Sequence, residues 1–513
     1  MIIYKKVHIS LKIRFYSYTY LLIFVQFCIK MSHEVLLMDR KSGILMHISS
    51  LPGDFSCGSF GTNAFKFIDF LENCGFTYWQ VLPFCIPDEH NSPYMSYSSI
   101  GGNMFFVDIE TLFIKGLLTK EELDNAKQRT PHVCEFTRLN NERFSLLKKA
   151  SARVSDKKEI INYIQQNKNI SDCCEFMALK EANKGLPWNE WKINTPDPDT
   201  LFAWQFIQYE FHSQWKNVRN YAKNKGIKII GDLPFYVAYD SCDTRNNKEQ
   251  FLLDEDNKPS CVAGVPPDYF AKDGQLWGNP IYNWDYMKKD SYSWWKNRLT
   301  YMLELFDGVR IDHFRALSEY WAVPADAKTA KSGKWYEGPG KEMIDTIKNI
   351  AKDRLIIAEN LGLIDAKVDA LLDYSGFPGM SVFQFGFDGN TNNPHLPHNY
   401  RENLIAYTGT HDNNTLLGFI WELDNYTRNT VLDYVGFCNE DWNKCYDTII
   451  RAMYMSCANT LIMPIQDILG YGEDTRLNTP GKADGNWGFR ITDEQLSSID
   501  FAKYKHFNKI YSR

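Results

Sequence analysis

Short apolar segments recur along the chain, and longer stretches with a helical pattern of apolar positions separate most of them. The first segment, at 43–48, precedes a helical stretch from about Thr62 to Asn73, and a second apolar segment follows at 78–83. A strand, a helix and a second strand in this order are typical of the crossover unit of a parallel sheet. Eight strands are predicted, near residues 44, 79, 229, 309, 356, 382, 405 and 462. Their alternation with helices predicts an α/β fold, a (β/α)8 TIM barrel.

Two stretches depart from this alternation. Residues 119–225 are charged and helical in pattern, and we expect them to form an inserted helical subdomain on the catalytic face of the barrel. Residues 1–30 carry basic residues and then an apolar run from Tyr18 to Ile29, which is too short to span a bilayer comfortably and lacks a small-residue cleavage site. We expect 1–30 to be an extension outside the fold, with Met31 as the natural start, and 31–513 to be a single catalytic domain.

A further stretch is rich in turn residues. The segment from Gly264 to Pro280 contains so many Gly and Pro residues that a loop is predicted, rather than a core element. It presents Asp268, Tyr269, Phe270 and Trp277, and aromatic side chains on a loop are typical of a binding cleft.

The segment from Phe306 to Arg315 joins a short apolar strand to a charged end. Val309 and Ile311 point to one side of the strand, and Arg310 and Asp312 alternate with them. Charges in such a place are unfavourable unless they compensate one another. One interpretation is a catalytic carboxylate at Asp312, with a pKa that Arg310 lowers. The alternative is a buried structural Asp–Arg pair, and this segment by itself favours neither.

Three predicted strands end in carboxylates, namely Asp312, Glu359 and Asp412. The carboxyl ends of barrel strands meet on one face, where two carboxylates about 5–5.5 Å apart can perform retaining glycoside chemistry. Glu359 follows an apolar stretch, and burial is expected to raise its pKa, as suits a general acid. His411 and Asp412 are candidates for holding substrate hydroxyls. A structural role is the alternative for each carboxylate taken singly, but three at three strand ends favour catalysis.

Composition narrows the class of partner. The net charge is -6 and the pI is about 6.0, which gives no indication of a nucleic-acid partner or a membrane partner. Aromatic residues make up 15% of the chain, and aromatic faces can serve as platforms for sugar rings, although most are expected in the core. The 12 Cys residues form no C-x-x-C pair, which argues against zinc and against a disulfide framework and favours a reducing cytoplasm.

Longer motifs add to these single residues: Gly43–Gly53, Ser92–Tyr94, Gly231–Pro234, Gly264–Phe270, Gln275–Pro280, Val309–Arg315, Ala358–Gly362, Thr410–Asn413 and Arg476–Gly481. Together they resemble the motifs of the amylomaltase or 4-alpha-glucanotransferase (disproportionating enzyme) family, relatives of the alpha-amylases. The resemblance runs from about residue 42 to the end of the chain.

The resemblance implies roles for particular residues. Asp312 would be the nucleophile, Glu359 the acid/base and Asp412 the transition-state stabiliser. Further positions match substrate contacts of the family: Arg310, His411, Tyr94, Asp268, Trp277 and Asn478. The implied reaction moves α-1,4-glucan segments from maltooligosaccharides, starch or glycogen-like chains to the 4-hydroxyl of an acceptor sugar, and it needs no metal and no organic cofactor.

Other functions fit parts of the same pattern. A hydrolase of the same fold would use the same carboxylates, and a non-catalytic glucan-binding protein would need only the aromatic loops. A phosphate-dependent barrel enzyme is disfavoured, because no Gly-rich phosphate loop follows the later strands.

Overall fold

The computed structural model describes residues 40–267 and 272–513. This part of the chain contains twelve strands, numbered in chain order: β1 (Lys41–Leu45), β2 (Tyr78–Gln80), β3 (Lys228–Leu233), β4 (Cys261–Val265), β5 (Gln275–Pro280), β6 (Gly308–Ile311), β7 (Glu319–Pro324), β8 (Lys334–Glu337), β9 (Leu355–Ala358), β10 (Gly379–Val382), β11 (Leu404–Tyr407) and β12 (Thr460–Pro464).

Eight of these strands form one parallel sheet in the order β10-β11-β12-β1-β2-β3-β6-β9. The Ala358 N–H, at the end of β9, donates a hydrogen bond to Pro378 O (3.0 Å), immediately before β10, so that the sheet nearly closes on itself. All eight strands predicted from the apolar segments are present. The predicted (β/α)8 barrel is therefore confirmed.

Apolar residues on both faces explain why these strands lie in the middle of the molecule. One face fills the barrel interior, with Leu45, Ile230, Ile357, Ile405 and Ile462 in one buried cluster. The other face packs on the surrounding helices in a larger cluster. A side chain at Gly231 would collide with the buried ring of Phe306, so the close approach of β3 to this ring requires glycine there. Strands buried on both faces are typical of parallel sheets covered by helices.

Helices follow most of the strands. In the described part of the chain the α-helices span Thr62–Cys74, Ile109–Ile114, Lys120–Asn125, Phe136–Ala152, Lys158–Gln166, Lys168–Ala182, Pro198–Asn224, Cys242–Asn246, Trp284–Lys289, Ser293–Leu305, Gly340–Ala351, Ala366–Ser375, Leu416–Glu422, Asn425–Tyr434, Cys445–Met455, Ile465–Leu469, Asp493–Ser498 and Phe501–Ile510. None of these helices is both long enough and apolar enough to cross a membrane.

The connection between β2 and β3 is helical. Its last helix, Pro198–Asn224, begins at Asp197, whose side chain accepts a hydrogen bond from the Thr200 N–H, and Pro198 occupies the first turn, where its missing N–H costs nothing. This helix packs on β3 and on the helix Thr62–Cys74. It therefore belongs to the helical layer around the barrel.

The remaining four strands correct one expectation. The stretch predicted as a loop, 264–280, contains the end of β4 and all of β5, which join β7 and β8 in an antiparallel sheet of order β5-β4-β7-β8. The Gly and Pro residues are misleading because half of them, Pro266, Pro267 and Gly274, lie between β4 and β5. Gly264, within β4, lets the two backbones approach closely. Asp268, Tyr269 and Phe270 lie outside the described residues.

Candidate active site

Strands β6 and β9 bring two predicted carboxylates to the same edge of the barrel. Their parallel register pairs Ile311 with Ala358, so Asp312 and Glu359 are the next residues on neighbouring strands. The Glu359 N–H donates to Ile311 O (3.1 Å), and the Asp312 N–H donates to Leu233 O at the end of β3 (3.0 Å). Backbone hydrogen bonds therefore fix both residues at the carboxyl ends of their strands.

Backbone donors also hold the Glu359 carboxylate. It accepts hydrogen bonds from the N–H groups of His313 (2.7 Å) and Leu361 (2.9 Å). Burial raises the pKa of Glu359 above its ordinary value, although Arg310 and the two N–H groups act in the opposite direction. This carboxyl group is thus fixed in position and more easily protonated than a free glutamate, as predicted from its apolar strand.

Arg310 connects two carboxylates beneath the cleft. Its Nη1 lies 2.8 Å from both oxygens of Asp232, and its Nη2 lies 2.9 Å from Oδ1 of Asp312. Asp232 also accepts a hydrogen bond from the hydroxyl of Tyr94 (2.7 Å). Arg310 is 4% exposed and Asp232 is fully buried, so each compensates a charge that water does not reach.

The pKa of Asp312 differs from the expected one. Burial, with the negative charges of Asp232, Glu359 and Asp412, raises the pKa of Asp312 to about 8, although Arg310 acts in the opposite direction. The expectation of a lowered pKa is wrong because Arg310 divides its charge between Asp312 and Asp232, and further carboxylates lie nearby. At neutral pH this cluster retains a proton that free carboxylates would lose.

A tight turn follows Asp312. His313 adopts a left-handed conformation with φ of 48°, which is uncommon for a residue other than glycine and which is often found at functional sites. Its ring meets the ring of Trp277 edge to face, with centroids 4.9 Å apart. Burial lowers the pKa of His313 to about 3, so the imidazole is neutral at physiological pH. The turn brings His313 against Trp277 of β5, so that Trp277 lies beside the carboxyl end of β6.

Asp412 lies on the opposite side, in the loop after β11. Its Oδ1 accepts a hydrogen bond from Nδ2 of Asn478 (2.6 Å), and its Oδ2 lies 3.3 Å from Nε2 of His411. Its backbone carbonyl accepts a hydrogen bond from Arg476 (2.6 Å). The Asp412 side chain is 44% exposed, so part of it remains free to contact a ligand.

Aromatic rings form a wall on the same side. Tyr94 stacks on His411, with centroids 5.0 Å apart and an interplanar angle of 12°, and Trp487 lies 5.9 Å from each ring. Burial lowers the pKa of His411, with Asp412 acting in the opposite direction. The side chains available for a sugar ring are therefore aromatic and hydrogen-bonding groups next to carboxylates.

The structure brings the predicted site residues together with one exception, since Asp268 lies outside the described residues. Three neighbours were not among the predicted site residues: Asp232, Arg476 and Trp487. Asp232 ends a predicted strand, as Asp312 does, and this position is a signal that could have identified it. Arg476 and Trp487 lie on an irregular segment after β12, where no periodic pattern points to a site.

The fold and site define a class. A (β/α)8 barrel that carries two adjacent carboxylates at strand ends, a third carboxylate opposite and aromatic side chains between them has the architecture of barrel enzymes that act on glycosidic bonds.

Comparison with known proteins specifies the family. The model of the glycoside hydrolase 77 family, described as 4-alpha-glucanotransferase, matches residues 46–496. The chain belongs to the 4-alpha-glucanotransferase family, as its motifs indicated. It is 38% identical to the 4-alpha-glucanotransferase of Clostridium butyricum over 490 residues, which cover 91% of this chain and 100% of that protein. It is 40% identical to the 4-alpha-glucanotransferase of Synechocystis sp. over 502 residues, which cover 93% of this chain and 99% of that protein.

A solved structure of a related enzyme supports the same family. The amylomaltase from Streptococcus agalactiae, in complex with acarbose, superposes with a TM-score of 0.88 at 37% identity, covering 92% of this chain and 99% of that chain. This chain is accordingly an enzyme of the 4-alpha-glucanotransferase type that acts on alpha-glucans.

Proposed function

We propose that the enzyme transfers α-1,4-glucan segments by a retaining, two-step mechanism in which Asp312 is the nucleophile, Glu359 the acid/base and Asp412 the transition-state stabiliser. The observation that carries this proposal is the register of β6 and β9, which makes Asp312 and Glu359 neighbours at one strand edge. Two adjacent carboxylates suit retaining chemistry, whereas inverting enzymes need a wider gap for water.

In the first step, Glu359 donates its proton to the glycosidic oxygen while an oxygen of Asp312 attacks the anomeric carbon. The bond between that carbon and the leaving oxygen breaks, the shortened sugar departs with a new hydroxyl, and a glycosyl-enzyme ester forms. This step requires the proton on Glu359 and the negative charge on Asp312. Catalysis therefore uses the form of the pair in which the retained proton lies on Glu359, and the ion pair with Arg310 stabilises the charge on Asp312 in that form.

In the second step, the Glu359 carboxylate takes the proton from the 4-hydroxyl of an acceptor glucan. The acceptor oxygen attacks the anomeric carbon, the ester bond to Asp312 breaks, and a new α-1,4 bond forms. Two displacements at one carbon retain its configuration. The two carboxyl groups supply both the nucleophile and the proton, so the mechanism requires no metal and no organic cofactor.

The surrounding side chains are proposed to hold the sugars. In this proposal, Asp412 and His411 accept hydrogen bonds from hydroxyls of the ring at the cleaved bond or donate hydrogen bonds to them, and Asn478 fixes Asp412. Tyr94 and Trp277 present aromatic rings next to the carboxylates. Arg310 acts near the reacting carbon through its contact with Asp312. Asp268 remains a proposed sugar contact, because it lies in the family motif Gly264–Phe270.

The substrates that we propose are maltooligosaccharides and starch-like or glycogen-like α-1,4-glucans. The acarbose complex of the Streptococcus agalactiae amylomaltase supports an oligosaccharide cleft in this family. We propose a cytoplasmic location, on the basis of the free thiols among the described cysteines.

Incubation with maltotriose tests transfer against hydrolysis. We expect glucose together with maltooligosaccharides longer than maltotriose, at a constant number of reducing ends, because each bond broken is replaced by a bond formed. A rise in reducing ends that matches the bonds cleaved would identify the enzyme as a hydrolase and contradict the proposal. Retention is tested separately, by the anomeric configuration of newly formed bonds in NMR spectra.

A further inference from the structure

A second cavity, of about 290 Å³, lies between two helices of the connection from β2 to β3. The helix Phe136–Ala152 forms one wall, and the helix Lys120–Asn125 forms the other. The lining is mostly polar and includes Asn125, Asn141, Ser145, Arg143 and Lys149. None of the carboxylates proposed for catalysis belongs to this lining, so the cavity is separate from the catalytic cleft. Its volume is close to the lower end of the range for small-molecule sites.

Arg143 lines this cavity as a buried cation. It is 4% exposed, and within residues 40–267 and 272–513 its guanidinium makes no ion pair and one long hydrogen bond, from Nη1 to Val107 O (3.4 Å). The carboxylate of Asp108 acts on it from beyond ion-pair distance and already accepts hydrogen bonds from Ser59 and Thr111. Buried charges in proteins are normally paired. The remaining N–H donors of Arg143 are therefore available to a ligand in the cavity.

The two carboxylates that line the cavity are already paired with other arginines. Glu122 accepts two hydrogen bonds from Arg153, at 2.6 and 2.8 Å, and Glu142 accepts one from Nε of Arg138 (2.9 Å). These pairs neutralise the negative charge of the lining. Neither glutamate compensates Arg143.

The remaining charge of the lining is positive. Lys149, in the last turn of the helix Phe136–Ala152, is exposed and makes no ion pair in the described part of the chain. Burial lowers the pKa of Arg143, and the positive charges of Arg138 and Arg490 act in the same direction, although Asp108 opposes them. The charge of Arg143 is thus unfavourable without a partner, and a bound anion would stabilise it.

The shape and polarity of the cavity indicate the class of anion. A phosphate group accepts two parallel hydrogen bonds from one guanidinium, which makes arginine well suited to bind it. A phosphate group alone would leave much of the cavity unfilled. The amides of Asn125 and Asn141 and the hydroxyl of Ser145 line the rest, on the exposed side, and such groups suit the hydroxyls of a sugar.

We propose that this cavity binds a monosaccharide phosphate, with Arg143 holding the phosphate group and the polar side chains of Asn125, Asn141 and Ser145 holding the sugar. Lys149 adds positive charge on the exposed side of the cavity. The site does not depend on the transfer mechanism proposed above, because it shares no residue with the catalytic carboxylates and binding breaks no covalent bond.

Calorimetric titration of the full-length enzyme with glucose 6-phosphate tests the proposal. The buffer contains neither phosphate nor sulfate, and the ionic strength is low because salt screens exposed charges. We expect saturable binding of one molecule per chain. Glucose and inorganic phosphate should each bind at least about tenfold more weakly, because each makes only part of the contacts. The absence of saturable binding, or equal affinity for glucose, would overturn the proposal, and equal affinity for inorganic phosphate would overturn the assignment of a sugar phosphate.

Two neighbouring lysines provide a matched pair of variants for locating the site. Lys149→Gln removes a charge from the cavity and should weaken glucose 6-phosphate binding by about 2- to 5-fold. Lys148→Gln removes the same charge one residue earlier, where the lysine instead donates a hydrogen bond to Thr200 (2.6 Å) and lies 3.6 Å from Asp197, so its affinity should equal that of the wild type. Equal affinities of the two variants would overturn the location.

Arg143→Gln should have the larger effect. Loss of the guanidinium removes hydrogen bonds to a charged group, and we expect the affinity for glucose 6-phosphate to fall on the order of 10- to 100-fold. Circular dichroism shows whether this variant is folded, and wild-type affinity in the folded variant would overturn the role of Arg143. If Arg143→Gln does not fold, the comparison of Lys149→Gln with Lys148→Gln still decides whether the ligand occupies this cavity.

Discussion

On one side of the cleft, Asp312 and Glu359 follow the paired strands β6 and β9, whereas on the other side Asp412 depends on side chains of the irregular segment 476–487. Backbone N–H groups hold the Glu359 carboxylate, and these donors persist whatever the neighbouring side chains are. The Asp412 carboxylate is held by the Asn478 amide and lies close to the His411 ring. Asp312, with its side chain 29% exposed, rests on the buried and charged Arg310 and Asp232, whereas the side chain of Asp412 is 44% exposed.

This difference suggests that the two sides of the cleft have different functions, bond breaking on the strand side and sugar binding on the loop side. Bond breaking requires atoms to be placed within a fraction of an ångström, and strand ends in a barrel provide that rigidity. Sugar binding tolerates more adjustment and can be supplied by loops. Substitutions on the strand side should therefore abolish the chemical step, while substitutions of the loop residues around Asp412 should weaken it by smaller factors.

The largest effect is expected from Asp312→Asn. The amide keeps the size of the side chain but cannot form the glycosyl-enzyme ester, so kcat should fall by on the order of 10⁴-fold or more. The measurement is glucose release from maltotriose. The control Asp369→Asn, at an exposed position of the helix Ala366–Ser375, should retain wild-type activity. Full activity of Asp312→Asn would remove this residue from the mechanism.

Much of the strand side could be predicted from the sequence. Apolar segments that end in a carboxylate identify both the strand and its catalytic edge, because the carboxyl ends of barrel strands face one way. This argument located Asp312 and Glu359. It did not give the protonation state of Asp312, because that depends on Asp232 and Asp412, which lie far away in the chain and meet it only in the folded barrel.

The next largest effect concerns stability. Asp232→Asn removes one of the two negative charges that compensate Arg310. Because this site is buried from water, the free energy of unfolding should fall by about 3 kcal/mol. Urea denaturation at pH 7 measures it. The control Asp493→Asn breaks an exposed pair with Lys66 and should change the free energy of unfolding by less than about 1 kcal/mol. Equal effects of the two substitutions would mean that the buried pair is not structurally important.

Asp412→Asn should combine a moderate loss of rate with a shift in pH dependence. Its charge raises the pKa of both Asp312 and Glu359, so its removal makes both groups easier to ionise. The wild-type profile of kcat/KM should be bell-shaped, because the pair must hold one proton, and its two limbs report the two titrations of the Asp312–Glu359 pair. Both limbs should move to lower pH in the variant, while kcat falls by about 10²-fold. Limbs that stay in place would show that Asp412 does not influence the pair.

Less of the loop side could be predicted. Tyr94 and Asn478 were identified only from motifs of the family, and no hydrophobic period marks them. Trp487 adopts a left-handed conformation, with φ of 66°, on a segment without regular structure, and its contact with His411 depends on how this segment folds back over β11. The position of an irregular segment relative to distant parts of the chain cannot be predicted locally, because a local sequence pattern indicates only which residues alternate between buried and exposed positions.

The smallest effect is expected from Asn478→Ala. This substitution removes the 2.6 Å hydrogen bond to Asp412 but leaves the carboxylate partly exposed, so water can replace the lost amide. A hydrogen bond to a charged group contributes about 1.5–3 kcal/mol when it is buried, and solvent access should reduce the loss in kcat/KM to about tenfold. Asn403→Ala, at an exposed position beside β11, is the matched control and should keep wild-type activity. A loss as large as that of Asp412→Asn would mean that the loop positions Asp412 as tightly as the backbone positions Glu359. The contrast between the two sides of the cleft would then fail.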